Sequence, residues 1–169
     1  SIADLDSKID GLLVHSDNFQ ALQLLGRRYR ESVKCSYIDP PYNTASSSIP
    51  YKNNYKHSSF ATLMNDRLAA LQPILTKDGA IFVSIDKTER TILQHAMDDV
   101  FGPDNRVEEL IWSMNTNNSQ APNYSTNHEY VLVYAKDRPT TELDRDMFRE
   151  PEPGYEEVMA LISSLNSSY

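Results

Sequence analysis

Residues 37–44 read YIDPPYNT and end a short apolar run that predicts a β-strand. Proline has a fixed backbone φ angle and no N–H group, so Pro40 and Pro41 end that strand. The turn therefore presents acceptors without competing backbone donors, with Asp39 beside the proline carbonyls and the ring of Tyr42 next to them. This array suits an exocyclic amino group, whose hydrogens need acceptors while its ring stacks on an aromatic side chain. The alternative is a plain strand-ending turn with a surface tyrosine.

Apolar runs alternate with helical patterns along most of the chain. The runs that predict strands are residues 12–15, 33–38, 79–86, 109–114 and 130–136. The patterns that predict helices are residues 18–30, 60–75, 91–101 and 156–165. This alternation predicts an α/β fold with a mostly parallel sheet covered by helices on both faces. The last two strands have no helix between them, which predicts an antiparallel hairpin at one edge.

Local signals mark the ends of several predicted helices. Ser58 or Ser59 is expected to cap the long helix, and Lys-Asp-Gly at residues 77–79 is expected to stop it. Gly102 and the proline after it are expected to close the next helix. One apolar face of the long helix has helical spacing and contains Phe60, Leu63, Met64, Leu68 and Leu71. Residues 1–137 are predicted to be the main domain, and residues 138–169 a charged linker with a terminal helix.

Composition limits the classes of function. The 169 residues carry a formal net charge of -8, which excludes nucleic-acid binding through bulk positive charge. No apolar run is long enough to span a membrane, and the acidic N-terminal stretch does not have the pattern of a signal peptide. The single cysteine, Cys35, lies in an apolar run, so we expect a core thiol and a reducing cytoplasm. No Cys or His spacing indicates a metal site.

Six segments resemble the amino-methyltransferases of DNA, and in particular the modification subunits of type III restriction-modification systems. They lie in family order within residues 12–137: LLVHSDNFQAL, VKCSYIDPPYNT, YKNNYKHSSF, LMNDRLAALQPILTKDGAIFVSID, MDDVFGPDN and NHEYVLVYAKD. The resemblance implies a Rossmann-like fold and S-adenosyl-L-methionine as cofactor. It also implies methylation of adenine N6 in a specific sequence of double-stranded DNA, in the bacterial cytoplasm. The Asp-containing tetrapeptide usually accompanies N6-adenine, and a Ser-containing form N4-cytosine.

The resemblance assigns roles to the residues of the turn. Asp39, Pro40, Pro41 and Tyr42 are the implied catalytic residues. The Asp39 carboxylate and the Pro40 carbonyl would accept both amino hydrogens and aim the nitrogen lone pair at the methyl group. Tyr42 and Asn43 would contact the extruded base.

Cofactor contacts are implied for Asp17 and Asn18, together with Asp39. A helix N-cap is the alternative role for Asp17 or Asn18. The family usually has glycine where Ser16 stands, and its Phe-x-Gly-x-Gly motif for the cofactor is absent here. In the permuted order of this branch the motif follows the catalytic half, so we expect an incomplete fold: the front half of a longer enzyme, or one completed by another chain. A missing basic segment would then contact the DNA, and a restriction subunit and a second full-length copy are further implied partners.

Several other polar residues have two interpretations. Asp86 either orients loops over the site or caps the next helix. His57 and the tyrosines at positions 51 and 55 lie in the loop after the turn, which either becomes ordered on substrate binding or is exposed without a direct role. His128 and Glu129 favour a structural turn contact over catalysis. The rival function is a non-catalytic assembly or DNA-positioning subunit. An unrelated nucleotide-binding Rossmann domain would need phosphate-binding glycines that this sequence lacks.

Overall fold

A computed structural model of the chain describes residues 9–44, 55–114, 124–144, 146–148 and 154–166. The strands are β1 (Val33–Ile38), β2 (Leu75–Ile85), β3 (Arg106–Ser113) and β4 (His128–Ala135). The helices are α1 (Asn18–Arg28), α2 (His57–Leu71), α3 (Arg90–Phe101), α4 (Arg138–Thr141) and α5 (Tyr155–Asn166).

The strands form one sheet in the order β1-β2-β4-β3. β1 pairs with β2 in parallel, whereas β4 is antiparallel to both β2 and β3. Three of these four strands therefore run in one direction, and the β3–β4 hairpin occupies one edge. The predicted α/β fold class and the antiparallel edge hairpin are confirmed.

The main hydrophobic core lies on one face of the sheet. Helices α1, α2 and α3 pack there against β2 and β4, around fully buried Phe60, Leu68, Ile81, Val83 and Leu93. The predicted apolar face of α2 is thus confirmed. These three helices share one face instead of covering both, which corrects the sequence-based expectation.

Cys35 is exposed, so its predicted role as a core thiol is wrong. Side chains alternate along β1, and Cys35 and Tyr37 pair with Ala80 and Phe82 on the sheet face opposite the main core. β1 is also an edge strand among those described. An apolar run predicts the strand, but it does not reveal which of its two faces is covered.

The predicted strand at residues 12–15 is also wrong. The segment is irregular, and Leu13 is almost fully exposed (96%). An apolar segment becomes a strand only where an edge pairs with it, and none of the four described strands does so.

The ends of α2 differ from the prediction. Its N-cap is Lys56, which makes no side-chain cap hydrogen bond, and Ser58 and Ser59 lie inside the helix. The helix ends at Leu71 because Pro73 follows in a short 3-10 turn. The expected stop at residues 77–79 lies within β2 instead.

The C-terminal part agrees more closely with the prediction. Gly102, at φ 86°, ends α3, and α5 covers the predicted terminal helix. The short helix α4 lies in the segment that was predicted to be a linker, and the Asp137 carboxylate caps it by accepting from the Thr140 N–H at 3.0 Å. Among the residues that the structure describes, no helix is both long and apolar enough to cross a membrane.

Gly79 tests the packing between β1 and β2. A Cβ atom there would lie 3.0 Å from the Lys34 and Thr76 carbonyl oxygens. Gly79→Ala should therefore lower the free energy of unfolding by about 1–3 kcal/mol. Gly26→Ala is the control, because its added methyl group meets nothing within 4 Å and alanine favours a helix by up to ~1 kcal/mol. Urea denaturation measures both variants. Equal stability of the two would contradict the close approach at Gly79.

Candidate active site

The turn that contains the two prolines lies where β1 leaves the sheet. Ile38 is the last residue of β1 that pairs with β2, opposite Val83, and the next residues form the turn. Asp39 is exposed, whereas Pro40 is buried beneath it. The turn therefore presents an exposed carboxylate next to a buried proline; the sequence predicts the turn, and the structure adds the burial of Pro40.

A cavity of about 130 Å³ adjoins the turn. Asp39 and Tyr42 contribute one side, and the strands contribute Tyr37, Ser84, Trp112 and Glu129. The hydroxyl groups of Tyr37 and Ser84 are hydrogen-bonded to each other. The structure thus brings together the acidic and the aromatic residue of the predicted site in one concave surface.

Glu129 holds the hydroxyl group of Tyr42. The Tyr42 Oη donates to Glu129 Oε2 at 3.2 Å. Burial, followed by the negative charges of Asp39 and Glu129, raises the pKa of Tyr42 well above its usual range. The phenol therefore remains protonated and a donor at neutral pH. The sequence assigned no partner to this hydroxyl and favoured a structural turn contact for Glu129, whereas the structure places Glu129 in the cavity lining, bonded to Tyr42.

Asn43 has a different role from the predicted one. Its Nδ2 donates to the Tyr55 carbonyl at 2.9 Å and to Glu89 Oε1, and its Oδ1 accepts from the Tyr55 N–H at 2.6 Å. The side chain is buried and its amide donors are both used. The predicted contact of Asn43 with the substrate base therefore does not fit this geometry.

Asp17 caps α1, as the alternative interpretation proposes. Its Oδ1 accepts from the backbone N–H groups of Phe19 at 3.0 Å and Gln20 at 3.3 Å, and Arg67 lies 3.8 Å from its Oδ2. Asn18 is the first residue of the helix. Neither Asp17 nor Asn18 lines the cavity beside Asp39. Their contact with a cofactor stays a prediction.

The remaining candidates have local partners. Asp86 accepts from the Thr88 backbone N–H at 2.8 Å and from its hydroxyl at 3.0 Å, a local turn contact before α3, whose N-cap is Glu89 and not Asp86. His57 Nδ1 lies 2.9 Å from the buried Glu89 carboxylate. His128 Nε2 lies 3.0 Å from the Tyr130 hydroxyl. The tyrosine at position 51 lies outside the described residues.

The family model described as DNA methylase matches residues 33–160 of the sequence. The chain belongs to this family. The Mod subunit of the type III restriction-modification enzyme EcoP15I of Escherichia coli is 31% identical to it over 75% of this chain and 24% of that subunit. The Mod subunit of EcoPI of Escherichia phage P1 is also 31% identical, over 83% of this chain and 27% of that subunit. The chain thus spans about a quarter of the length of these curated relatives.

Solved structures of DNA methyltransferases share the fold of this chain. The PvuII DNA methyltransferase, which is cytosine-N4-specific, superposes with a TM-score of 0.53 at 15% identity, over 70% of this chain and 47% of that one. The M1.HpyAVI–SAM complex superposes with a TM-score of 0.51 at 13% identity, over 74% of this chain and 54% of that one. At these identities the likeness confirms the methyltransferase fold.

Sequence reasoning missed the contact of Glu129 with Tyr42, and it gave Glu89 no role. Glu129 is the second residue of β4, and the pairing of β4 with β2 brings it near Tyr42, which is 87 positions away. Glu89 follows β2, and its charge gave no indication that it is completely buried. Across the described ranges, no group of three or more His, Cys, Asp or Glu side chains is arranged to hold a metal ion.

Titration of Tyr42 tests the geometry of the cavity. The phenol of Tyr42 should ionise at a higher pH than ordinary tyrosines do, because burial and two carboxylates favour its neutral form. Its titration is identified as the one that disappears in Tyr42→Phe. Glu129→Gln should lower that pKa without making it ordinary, since burial and Asp39 remain. Ultraviolet difference titration of the protein and the two variants measures this. An ordinary pKa for the phenol of Tyr42 would show that the pair is not formed.

Proposed function

We propose that this chain is the catalytic half of a DNA methyltransferase that transfers a methyl group from S-adenosyl-L-methionine to adenine N6. The target would be an adenine in a specific sequence of double-stranded DNA, within a restriction-modification system. The observation that carries the proposal is the shared cavity of Asp39 and Tyr42 at the carboxyl end of β1. In open α/β sheets ligands bind at this end of the strands.

Asp39 and Pro40 prepare the amino nitrogen for attack. The lone pair of an adenine amino group is delocalised into the ring, so the nitrogen is a weak nucleophile. The Asp39 carboxylate and the Pro40 carbonyl accept its two hydrogens, draw the nitrogen toward tetrahedral geometry and aim its lone pair. A preorganised pair of acceptors lowers the barrier without rearranging during the reaction. Pro40 is buried, which keeps its carbonyl in place.

Tyr42 receives the base after it leaves the duplex. Its ring offers a stacking surface in exchange for the lost stacking of the helix. The hydrogen bond from its hydroxyl to Glu129 limits rotation of the ring, so the base would find one orientation. Trp112 lies on the β3 side of the same cavity and adds a second aromatic surface.

The charges and rings of the cavity fit the proposed cofactor. Asp39 and Glu129 supply negative charge and four aromatic side chains lie beside them, which suits a sulfonium cation. When bound, S-adenosylmethionine supplies an activated methyl group. We further propose that Asp17 and Asn18 face its adenosine end, although Asp17 Oδ1 is already used to cap α1. The M1.HpyAVI protein, whose fold this chain shares, was solved as a complex with SAM.

The rest of the cofactor pocket and the DNA-reading surface are assigned to residues outside this chain. The net charge of -8 provides no track for phosphates, and the related Mod subunits are about four times as long. The names of these relatives support a restriction subunit as partner. A homodimer of the full-length protein and a bacterial cytoplasmic location complete the proposal.

Asp39→Ala in the full-length protein should reduce the rate of methyl transfer by orders of magnitude while DNA binding persists, because it removes one acceptor of the amino group. Asp104→Ala, at an exposed acidic residue away from the cavity, is the control with the same change in charge. Single-turnover methylation and DNA binding are measured together. A near wild-type rate in Asp39→Ala would mean that the turn only ends a strand, which favours the non-catalytic subunit.

Tyr42→Ala should weaken capture of the extruded base by ~1–3 kcal/mol, the usual contribution of a base stacked on an aromatic side chain. Tyr42→Phe keeps the ring but loses the hydrogen bond to Glu129, so we expect an intermediate effect. A fluorescent base analogue at the target position reports the extrusion. If Tyr42→Phe is as damaged as Tyr42→Ala, the hydroxyl matters more than stacking.

A further inference from the structure

We propose that Glu89 is a positioning residue for methyl transfer, acting through Asn43 on the turn that carries Asp39 and Tyr42. The proposal rests on the proposed function for its kinetic consequence. Its structural part, the dependence of the turn on one buried carboxylate, can be tested separately.

Glu89 is a fully buried carboxylate at the N-cap of α3, at the end of the short turn that follows β2. Burying a carboxylate is unfavourable unless hydrogen bonds or opposite charge compensate. The N-terminus of α3 supplies partial positive charge there. The side-chain partners of Glu89 therefore indicate which part of the structure requires it.

The side-chain partners of Glu89 come from the end of the described segment 9–44 and from the start of the described segment 55–114. Asn43 Nδ2 donates to Glu89 Oε1, and His57 Nδ1 lies 2.9 Å and 3.0 Å from the two carboxylate oxygens. Asn43 directly follows Tyr42, and His57 is the first residue of α2. One carboxylate thus joins the end of the turn to the beginnings of α2 and α3.

Asn43 has an uncommon backbone conformation. Its φ angle is 60°, in the left-handed region, which asparagine adopts more readily than most residues with a Cβ atom. Its amide pairs with both the N–H and the C=O of Tyr55, as a neighbouring strand would, and Glu89 takes the remaining amide hydrogen. These hydrogen bonds fix the amide and so favour the left-handed conformation of Asn43 over others.

The conformation of Asn43 determines how the chain leaves the catalytic turn. Glu129 holds the hydroxyl group of Tyr42, and the backbone of Tyr42 is positioned by Asn43, the next residue in the chain. Without Glu89, one amide hydrogen of Asn43 loses its partner and the turn can relax. A shift of about 1 Å in the groups that position a reacting atom can slow the reaction about a hundredfold.

The first test uses the full-length protein with saturating DNA and S-adenosylmethionine, in single turnover. Glu89→Ala should slow methyl transfer by about 10- to 100-fold with a much smaller change in DNA binding. Glu89→Gln should recover most of the rate, because its carbonyl can still accept from Asn43 and its NH₂ group can donate to a neutral His57. A loss in Glu89→Gln as large as that in Glu89→Ala would overturn the acceptor role.

Met97→Ala is the control for general destabilisation. Met97 is fully buried two turns further along α3, about 12 Å from Glu89 along the helix axis. Once both variants are compared per folded molecule, Met97→Ala should methylate at the wild-type rate. If the two slow methyl transfer equally, Glu89 is only a core residue.

A double-mutant cycle tests the route through Asn43. If Glu89 acts through this residue, Glu89→Ala combined with Asn43→Ala should be no slower than the slower single variant. Rate losses that multiply would show that Glu89 acts independently of Asn43, which contradicts the proposed route.

A second readout does not require activity. The side-chain amide signals of Asn43, assigned by their loss in Asn43→Ala, should exchange slowly with water in the wild type and in Met97→Ala. They should exchange at least tenfold faster in Glu89→Ala. Fast exchange in the wild type would overturn the positioning role even in an active enzyme. Slow, Glu89-dependent exchange in a wild type without methylation would reject the proposed function and leave the support of the turn established.

Discussion

The parallel pairing of β1 with β2 determines where the candidate site lies. It continues to Ile38 opposite Val83, so the two prolines that cannot pair begin at the carboxyl edge of the sheet. β4 runs antiparallel to β2, so its first residues reach that same edge. This arrangement brings Glu129 to Tyr42, although neither residue carries a local sequence signal for the other. A shift of β1 by one residue would turn its side chains to the opposite face of the sheet and separate Tyr42 from Glu129.

The sequence predicted the elements that depend on local pattern. The turn at residues 39–42, the apolar face of α2 and the edge hairpin all follow from nearby residue types, and the structure contains each of them. The exposure of Cys35 could not be predicted, because alternation along a strand does not reveal which face other elements cover. The prediction of a strand at residues 12–15 was wrong for a related reason, since a strand needs a neighbouring edge to pair with.

Asn43 shows why site roles were harder to predict than elements. Its sequence position beside Tyr42 suggested contact with a base, but its amide pairs with Tyr55, twelve positions away, and with Glu89, 46 positions away. Such contacts depend on how β1, β2, α2 and α3 assemble. The sequence can identify a turn with suitable acceptors, whereas the packing decides which of its side chains face the cavity and which support it from below.

The proposed enzyme separates chemistry from DNA binding. Carboxylates and aromatic rings line the cavity, which suits an amino group and a sulfonium cation, but the same negative charge repels phosphates. A local site of this kind can therefore act on a base only when another part of the protein holds the duplex. The short span of this chain relative to the curated Mod subunits agrees with that division.

The most direct test of the central claim is to identify the methylated nucleoside. The full-length protein is incubated with double-stranded DNA and S-adenosylmethionine labelled in its methyl group, and the DNA is then digested and separated. We expect the label in N6-methyldeoxyadenosine, with its appearance dependent on Asp39. Label only in N4-methyldeoxycytidine would contradict the adenine assignment, and unlabelled DNA would contradict the enzymatic function itself.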